Sequence, residues 1–463
     1  MLNIENYENL VIGSGAGGKL MTWTLAREGR RTALVERGPL GGACPNVACL
    51  PSKNMIWSAK VISLARRGME FGLKTESLGV DIPAVQRRKR LMVENLQEIH
   101  LDLTTASGAE LFRGEARFVG PRIVEVALHG GGRKTISGDR VFLDLGSRAA
   151  IPQIPGLAEA APLTHVELLD LDRLTAHLIV LGGGYVGLEL SQAFRRFGSR
   201  VTVIQASPQL AEREDPDVGA ALLELFDAEG IEVLLGTKVR RVEGRCGQRI
   251  LVHADAKEKN RTIEGTDILV ATGRAANTQA LGLELTDVQL NEHGDVRVNE
   301  RLETTCENIW ALGDCAGSPH FTHVAEDDFR LVHANLSGGN RTTNGRLVPF
   351  CLFTDPELAR VGKNEVEARR EGIEYRLAKM PIAQVLRTKT AAEPRGFMKV
   401  LVAKNSDEIL GFAAFGFEAS EQMAAMQTAM LGHLPYTTLR DTIFTHPTMS
   451  EGLNELLAGV PAR

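Results

Sequence analysis

Three large classes of protein are disfavoured by what the sequence lacks. Lysine and arginine form no basic block in the 463 residues, and the formal net charge is −5, so the charge pattern does not indicate nucleic-acid binding. The longest apolar run, around residues 177–190, is interrupted by glycines and is too short to span a bilayer. The first residues, MLNIENYENL, are polar and acidic, unlike a signal peptide. We therefore expect a cytoplasmic protein that binds neither nucleic acid nor membrane.

Cysteine is scarce, and its arrangement excludes a disulfide framework. The chain has six cysteines, too few for such a framework in a protein of this length. A structural zinc site requires four ligands, often as two pairs that are close in sequence. Here only Cys44 and Cys49 are close in sequence. The sequence therefore predicts no metal site and favours a redox role for this pair. The other four cysteines are single, at Cys246, Cys306, Cys315 and Cys351.

The length of the chain exceeds what one hydrophobic core holds, so we expect two or three domains of ~100–200 residues each. Hydrophobic and charged contents of 43% and 24% are ordinary for a globular protein.

A glycine-rich turn near the N-terminus has the pattern of a dinucleotide-binding βαβ unit. Strand-like residues 10–12 precede G-x-G-x-x-G, helix-like residues 20–27 follow, and strand-like residues 32–35 end in Glu36. The first glycine allows the tight turn, the second lets the backbone approach a pyrophosphate, and the third lets helix and strand pack closely. Phosphates would lie at the helix N-terminus, and Glu36 would accept hydrogen bonds from a ribose. A glycine turn without a ligand is the weaker alternative. The three glycines are Gly13, Gly15 and Gly18.

The same layout recurs in the second half of the chain. From Gly13 to Glu36 is 23 positions, and from Gly182 to Gln205 is also 23. Gln205 lacks the carboxylate that repels a 2′-phosphate but adds no positive charge, so NADH and NADPH both remain open. The glycines of this second motif are Gly182, Gly184 and Gly187.

Three further strands end in glycine. Residues 141–146 end in Gly146, residues 268–273 end in Gly273, and residues 308–312 lead into Gly313 and Asp314. Asp314 fits either a bond to a sugar-like polyol or a helix N-cap. Asp144 fits either the edge of a flavin or the cap of a turn, and the cap is favoured.

The cysteine pair lies just behind the first dinucleotide motif, within GGACPNVACLPSK, residues 41–53, which also contains Gly42. The pair falls at a predicted helix N-terminus, a place that lowers the pKa of a thiol. A disulfide needs Cα atoms ~4.4–6.8 Å apart, which positions i and i+5 of a regular helix do not provide, so the first turn must be distorted.

These motifs together resemble the FAD-dependent pyridine nucleotide-disulfide oxidoreductases, the family of lipoamide dehydrogenase, glutathione reductase and mercuric reductase. The resemblance runs from Gly13 to Glu451. It is carried by the two glycine fingerprints, Cys-x4-Cys followed by Pro-Ser-Lys, ATG (271–273), GD (313–314), FTDPE (353–357) and HPTMSE (446–451).

The resemblance implies an α/β fold with two Rossmann-like dinucleotide-binding domains and a C-terminal α+β dimerisation domain. It divides the chain into an FAD-binding domain in two parts, an NAD(P)H-binding domain between them, and the dimerisation domain. The corresponding ranges are 1–150 and 276–345, then 151–275, then 346–463.

The resemblance also implies roles for single residues. Asp314 would bond the ribityl chain of FAD, and Lys53 would lie near the flavin, paired with Glu189. Cys49 would face the flavin, and Cys44 would exchange with the substrate. The pair His446 and Glu451 would serve as a base that reaches the partner's dithiol in a homodimer.

The sequence departs from the family pattern around the cysteines, with Ala43, Pro45 and Ala48, and this puts the usual substrates in doubt. The leading hypothesis is a reversible, lipoamide dehydrogenase-like reaction with a small-molecule or protein disulfide. The C-terminus, LAGVPAR, lacks the cysteine pair of mercuric reductases, which favours this reading. The alternatives are reduction of a metal ion, quinone or oxidant through the same dithiol, and a non-catalytic subunit that holds FAD.

Overall fold

The first part of the chain forms a parallel sheet covered by helices. A computed structural model describes residues 4–74, 77–255 and 260–463, so that residues 1–3 of the polar N-terminus lie outside it. All five residues of the strand Thr32–Glu36 are buried, which is typical of a parallel strand covered on both faces. The elements are β1 (Ile4–Ile12), α1 (Ala16–Arg27), β2 (Thr32–Glu36), α2 (Ala43–Asn46), α3 (Cys49–Arg66), α4 (Ile82–Ser107), β3 (Glu110–Gly120), β4 (Ile123–Leu128), β5 (Arg133–Leu143) and β6 (Ser147–Ala149).

The second part repeats this plan. All five residues of the strand His177–Leu181 are buried, as in β2. The elements are α5 (His165–Asp170), β7 (His177–Leu181), α6 (Tyr185–Phe197), β8 (Arg200–Ile204), α7 (Pro216–Ala228), β9 (Glu232–Leu234), β10 (Lys238–Gly244), β11 (Ile250–Asp255), β12 (Asn260–Gly265), β13 (Asp267–Val270) and β14 (Arg274–Ala276).

The chain then returns to the first sheet. The short strand β15 (Ile309–Ala311) pairs in parallel with β5, and α8 (Thr322–Leu336) follows it. The parallel strands of the first sheet therefore lie in the order β3, β2, β1, β5, β15, with β4 antiparallel to both β3 and β5. The second sheet has the order β13, β7, β8, β9, all parallel. The strands β10, β11 and β12 form an antiparallel sheet, and β6 pairs with β14.

The C-terminal part is an antiparallel sheet with helices, in the order β16, β17, β20, β19, β18. Its elements are β16 (Phe350–Leu352), β17 (Glu357–Gly362), α9 (Glu365–Arg370), β18 (Tyr375–Pro381), α10 (Leu386–Ala391), β19 (Phe397–Ala403), β20 (Ile409–Gly416), α11 (Ala419–Leu431), α12 (Tyr436–Arg440) and α13 (Gly452–Ala458).

The predicted fold class, two dinucleotide-binding units and a C-terminal α+β domain, is confirmed. The element boundaries differ from the predicted ones. The helix α1 begins at Ala16 rather than Leu20, because the small residues after the turn carry no apolar periodicity and were not recognisable as helical. Across the described ranges, no helix combines the length and the apolar character needed to cross a membrane.

Candidate active site

The two cysteines lie where one helix ends and the next begins. The short helix α2 contains Cys44, and α3 starts at Cys49. Between them, Val47 (φ −139°, ψ 2°) and Ala48 (φ −131°, ψ −102°) leave the helical region, so the first turn is broken rather than regular. This is the distortion that a Cys-x4-Cys pair requires. Both side chains are half-buried thiols.

The two thiols differ in acidity because one donates to the other. A hydrogen bond from Cys44 lowers the pKa of Cys49 to about 6; the Thr322 hydroxyl, at 3.4 Å, and the charge of Lys53 also lower it, against the opposing effect of burial. The same hydrogen bond, together with burial, raises the pKa of Cys44 well above the usual thiol range. The hydrogen bond between the two sulfurs therefore favours the thiolate at Cys49 and the thiol at Cys44.

Lys53 and Glu189 form an ion pair beside this sulfur. Lys53 Nζ lies 2.7 Å from Glu189 Oε2 and 4.8 Å from the ring centroid of Phe353. The second oxygen of Glu189 accepts a hydrogen bond of 2.9 Å from the Phe353 amide. Burial lowers the pKa of Lys53, but the charge of Glu189 and its hydrogen bond outweigh burial and raise it overall. The lysine is therefore a fixed positive charge one helical turn after Cys49.

Two glycines of the first motif, Gly13 and Gly15, line a cleft of about 290 Å³. If Gly42 carried a side chain, its Cβ would lie 2.5 Å from the Cα of Gly15. The glycine turn and the segment before Cys44 therefore approach closely at two residues that lack side chains. At the far end, Glu36 is held by hydrogen bonds from Ser14 N (2.8 Å) and Gly38 N (2.6 Å), with its carboxylate lining the cleft. A pyrophosphate requires bare backbone and a ribose requires an acceptor, so the cleft has the features of a dinucleotide site. The cleft is also lined by Gly146 and Ser147.

Asp314 lies next to Ser147, which lines this cleft. Its carboxylate accepts a hydrogen bond from the Ser147 hydroxyl and lies 3.6 Å from Arg274 Nε. The alternative of a helix N-cap was wrong, because Leu312 holds the N-cap position of the short 3₁₀ helix 313–316. Ser147 and Arg274 carried no signal in the sequence, since they become neighbours only when β6 pairs with β14.

Asp144 bonds to the helix of the first motif rather than capping the turn that contains it. Its Oδ2 accepts a hydrogen bond of 2.6 Å from Gly18 N, in the first turn of α1, and the residue lines the cleft. The expected cap of a local turn is thus replaced by a contact over 126 residues of sequence. The sequence did not show this partner because the two residues meet only through the pairing of β1 with β5.

The second glycine motif has the same geometry with a neutral end. The Oε1 of Gln205 accepts a hydrogen bond of 2.9 Å from Gly183 N, so this side chain bonds to the glycine turn. A Cβ at Gly187 would lie 2.1 Å from the Gly182 oxygen, and Gly184 is the N-cap of α6. Gly273, with φ +143°, follows β13, the strand that pairs with β7. Gln205 carries no charge that would distinguish NADH from NADPH.

His446 and Glu451 lie on the surface of the C-terminal part. His446 Nδ1 is 2.8 Å from Glu451 Oε2, and the histidine side chain is 63% exposed. Ile443, three residues earlier, is 99% exposed. In the described part of this single chain, the hydrogen bonds of the cysteine pair do not involve His446. Nor, among the residues with described positions, do three or more His, Cys, Asp or Glu side chains gather as metal ligands would.

A protein that places a dithiol beside two dinucleotide sites is built to move electron pairs between a nicotinamide, a flavin and sulfur. This arrangement defines the class of flavin-dependent oxidoreductases. The family profile described as pyridine nucleotide-disulphide oxidoreductase matches residues 7–328, and the profile of its dimerisation domain matches residues 348–457. The chain therefore belongs to the pyridine nucleotide-disulphide oxidoreductases, as its sequence predicted, and FAD and NAD(P)H are its cofactors.

Individual relatives are similar over almost their whole length. The chain is 32% identical to RclA of Escherichia coli (strain K12) over 460 residues, covering 98% of this chain and 99% of that protein. It is 34% identical to the mercuric reductase of Streptomyces lividans over 450 residues, covering 96% and 94%. A solved Cu(II) complex of the HOCl-induced flavoprotein disulfide reductase RclA from E. coli has a TM-score of 0.90 at 31% identity, covering 98% and 99%. At these identities the chain is a divergent member.

Proposed function

We propose that the chain carries electrons from NAD(P)H, through FAD, to the Cys44–Cys49 disulfide and on to a disulfide substrate, reversibly, as in lipoamide dehydrogenase. Bound FAD supplies the two-electron chemistry between the nicotinamide and the sulfur pair. Two electrons and two protons convert the disulfide into two thiols. The same number convert the substrate disulfide into two thiols while Cys44 and Cys49 are oxidised again.

The observation that carries this proposal is the position of the two cysteines on either side of a broken helical turn, beside the Lys53–Glu189 ion pair. Cys49 lies beside Lys53 and Thr322, which together with the hydrogen bond from Cys44 lower its pKa to about 6 and favour its thiolate. Cys44 lies on the short helix α2, and we assign to it the exchange with the substrate. Cys44 first gives up its proton and attacks the substrate disulfide, which forms a mixed disulfide and releases one substrate thiol. Cys49 then attacks the Cys44 sulfur, which restores the Cys44–Cys49 disulfide and releases the second substrate thiol.

Each substrate thiol leaves with a proton, and we propose that His446 takes the proton of Cys44 and delivers it to the departing sulfur. Glu451 holds Nδ1, so Nε2 is the ring atom that takes and returns the proton. Since His446 is exposed and makes no hydrogen bond to the cysteines of its own chain, we propose a homodimer in which each His446 serves the partner's dithiol. The dimerisation domain and the exposed Ile443 support this arrangement.

Reduction of a metal ion is a second candidate, because the relatives include mercuric reductase and RclA solved with Cu(II). In this reaction the reduced dithiol passes two electrons to one Hg(II) ion or to two Cu(II) ions, releases two protons and is left as the disulfide.

A panel of acceptors separates the two candidates. Purified holoprotein is assayed under anaerobic conditions with NADH or NADPH against lipoamide, glutathione disulfide, Cu(II), Hg(II) and a quinone. The disulfide proposal expects turnover with a disulfide that disappears in Cys44→Ser, which keeps a nucleophile but cannot form the disulfide. Turnover with a metal ion or quinone alone would overturn the disulfide proposal in favour of the second candidate.

A further inference from the structure

The internal repeat lets the two dinucleotide sites be compared position by position. A Cβ added to Gly13 would lie 2.2 Å from the main-chain oxygen of Asp144. A Cβ added to Gly182 would lie 2.4 Å from the main-chain oxygen of Ala271. Asp144 and Ala271 thus occupy equivalent places, each directly after the strand that neighbours the glycine turn. The NAD(P)H unit has a methyl group there, and the FAD unit has a carboxyl group.

This carboxyl group lies directly under the turn that receives the pyrophosphate. Its Oδ2 is 2.6 Å from Gly18 N, and a Cβ added to Gly15 would come within 2.6 Å of the same oxygen. Its Oδ1 is 3.4 Å from the place of a Cβ on Gly313. The residue is 6% exposed and lines the FAD cleft. It therefore occupies the N-terminal end of α1, where the helix stabilises one negative charge.

We propose that Asp144 couples FAD binding to the uptake of one proton, so that the carboxyl group is neutral whenever the pyrophosphate is bound. An ionised carboxylate at this place would repel the pyrophosphate across a low-dielectric contact. It would also occupy the positive end of the α1 dipole, which the pyrophosphate would otherwise use. A neutral carboxyl group keeps a carbonyl oxygen that accepts from Gly18 N, so the turn retains its geometry. The proposal concerns cofactor binding and is independent of which acceptor the enzyme reduces.

The surroundings of Asp144 favour its neutral form. Burial and the charges of three other acids raise the pKa of Asp144, the hydrogen bond from Gly18 lowers it, and the net pKa is about 7. Of those acids, Asp328 is paired with Arg346 Nη1 at 2.5 Å. The titratable groups that act on Asp144 are Asp314 after β15, Asp328 on α8, Glu36 at the end of β2, Cys315 in the 3₁₀ helix and the cation Lys19 on α1.

The sign of the pH dependence follows. Below about pH 7 the carboxyl group of the free protein is already neutral, and FAD binds without taking up a proton. Above that pH the carboxyl group of Asp144 is ionised in the free protein, so FAD binding must be accompanied by uptake of a proton at Asp144. The affinity for FAD should therefore be constant at low pH and fall by up to about tenfold per pH unit above pH 7.

The test measures release of FAD rather than turnover. Holoprotein is diluted between pH 6 and 9, and the dissociation constant is read from the fluorescence of free FAD. We expect a wild-type constant that rises with pH, and a flat one, tighter than wild type at pH 8.5, in Asp144→Asn, which keeps the shape without the charge. Asp144→Ala, which reproduces the second site, should also be flat. A flat wild-type curve, or a variant curve parallel to wild type, would overturn the proposal.

A second measurement uses the wild-type chain alone, in case the variants do not fold. Calorimetry of FAD binding to apoprotein at pH 8 in two buffers with different heats of ionisation gives the number of protons taken up. A value near one is expected, and a value of zero would overturn the proposal even if the enzyme is active.

Discussion

The Sγ of Cys49 lies 3.4 Å from the Oγ1 of Thr322, so the first residue of α3 meets the first residue of α8. Two helix N-termini, separated by 273 positions in sequence, thus converge on one sulfur. Each helix end favours negative charge, and the threonine hydroxyl adds a hydrogen bond that only a thiolate uses fully.

Replacing Thr322 by valine should make Cys49 less acidic. The change keeps the shape of the side chain but removes the hydroxyl, and in a Cys44→Ser background the alkylation rate of Cys49 at pH 6 should fall about tenfold. The rate is followed by mass spectrometry across the pH range, and the profile should move to higher pH. Thr322→Ser, which keeps the hydroxyl, is the control. An unchanged profile in Thr322→Val would show that the hydroxyl does not stabilise the thiolate.

A shared active site predicts that two inactive variants restore activity together. His446→Gln should lose disulfide turnover while it still oxidises NAD(P)H with an artificial acceptor, and Cys44→Ser should behave alike. If each histidine serves the partner's dithiol, a mixed dimer contains one complete site, and refolding an equal mixture of the two should restore about a quarter of wild-type turnover. Each variant refolded alone is the control, and a mixture as inactive as its components would contradict the shared site.

A buried lysine joins the second dinucleotide unit to the C-terminal part. Lys399 is 1% exposed, and its Nζ lies 2.5 Å from Asp215 and 2.8 Å from Asp217. Burial lowers its pKa, but the hydrogen bonds to these two aspartates outweigh burial and raise it overall. Because the folded state raises this pKa, the stabilisation persists at every pH below the usual lysine range and is lost only above it.

Lys399→Met should therefore lower the free energy of unfolding by about 3–5 kcal/mol at pH 7, because it leaves buried carboxylates without their cation. Denaturant unfolding measures this loss. The matched control is Lys379→Met, whose lysine is 40% exposed and lies 2.6 Å from Asp217. That change should cost no more than about 1 kcal/mol. Equal effects of the two substitutions would contradict the assigned role of the buried site.

Much of the fold was readable from the sequence because the relevant signals are local. Each glycine turn lies between a buried strand and a helix, so both dinucleotide units could be predicted from spacing. The break at Val47 and Ala48 was expected from the geometry that two sulfurs need. The domain boundaries and the roles of the site residues remain predictions, and so does the cytoplasmic location.

Contacts that depend on distant parts of the chain were not readable. Thr322 reaches Cys49 only because α8 packs on α1 after the chain has returned to the first sheet, and Asp144 reaches Gly18 only across two paired strands. A threonine at the start of a helix and an aspartate after a strand are common, and nothing near them in sequence indicates a sulfur or a pyrophosphate.

The most direct test of the account is the number of electrons that the holoprotein takes up. Anaerobic titration with dithionite, followed in the visible spectrum, should consume about twice as much reductant in the wild type as in Cys44→Ser. In the wild type the flavin accepts one electron pair and the Cys44–Cys49 disulfide accepts a second. The first addition to the wild type should also produce long-wavelength absorbance from a thiolate beside the flavin. Equal consumption in the two proteins would contradict the claim that Cys44 and Cys49 accept electrons from FAD.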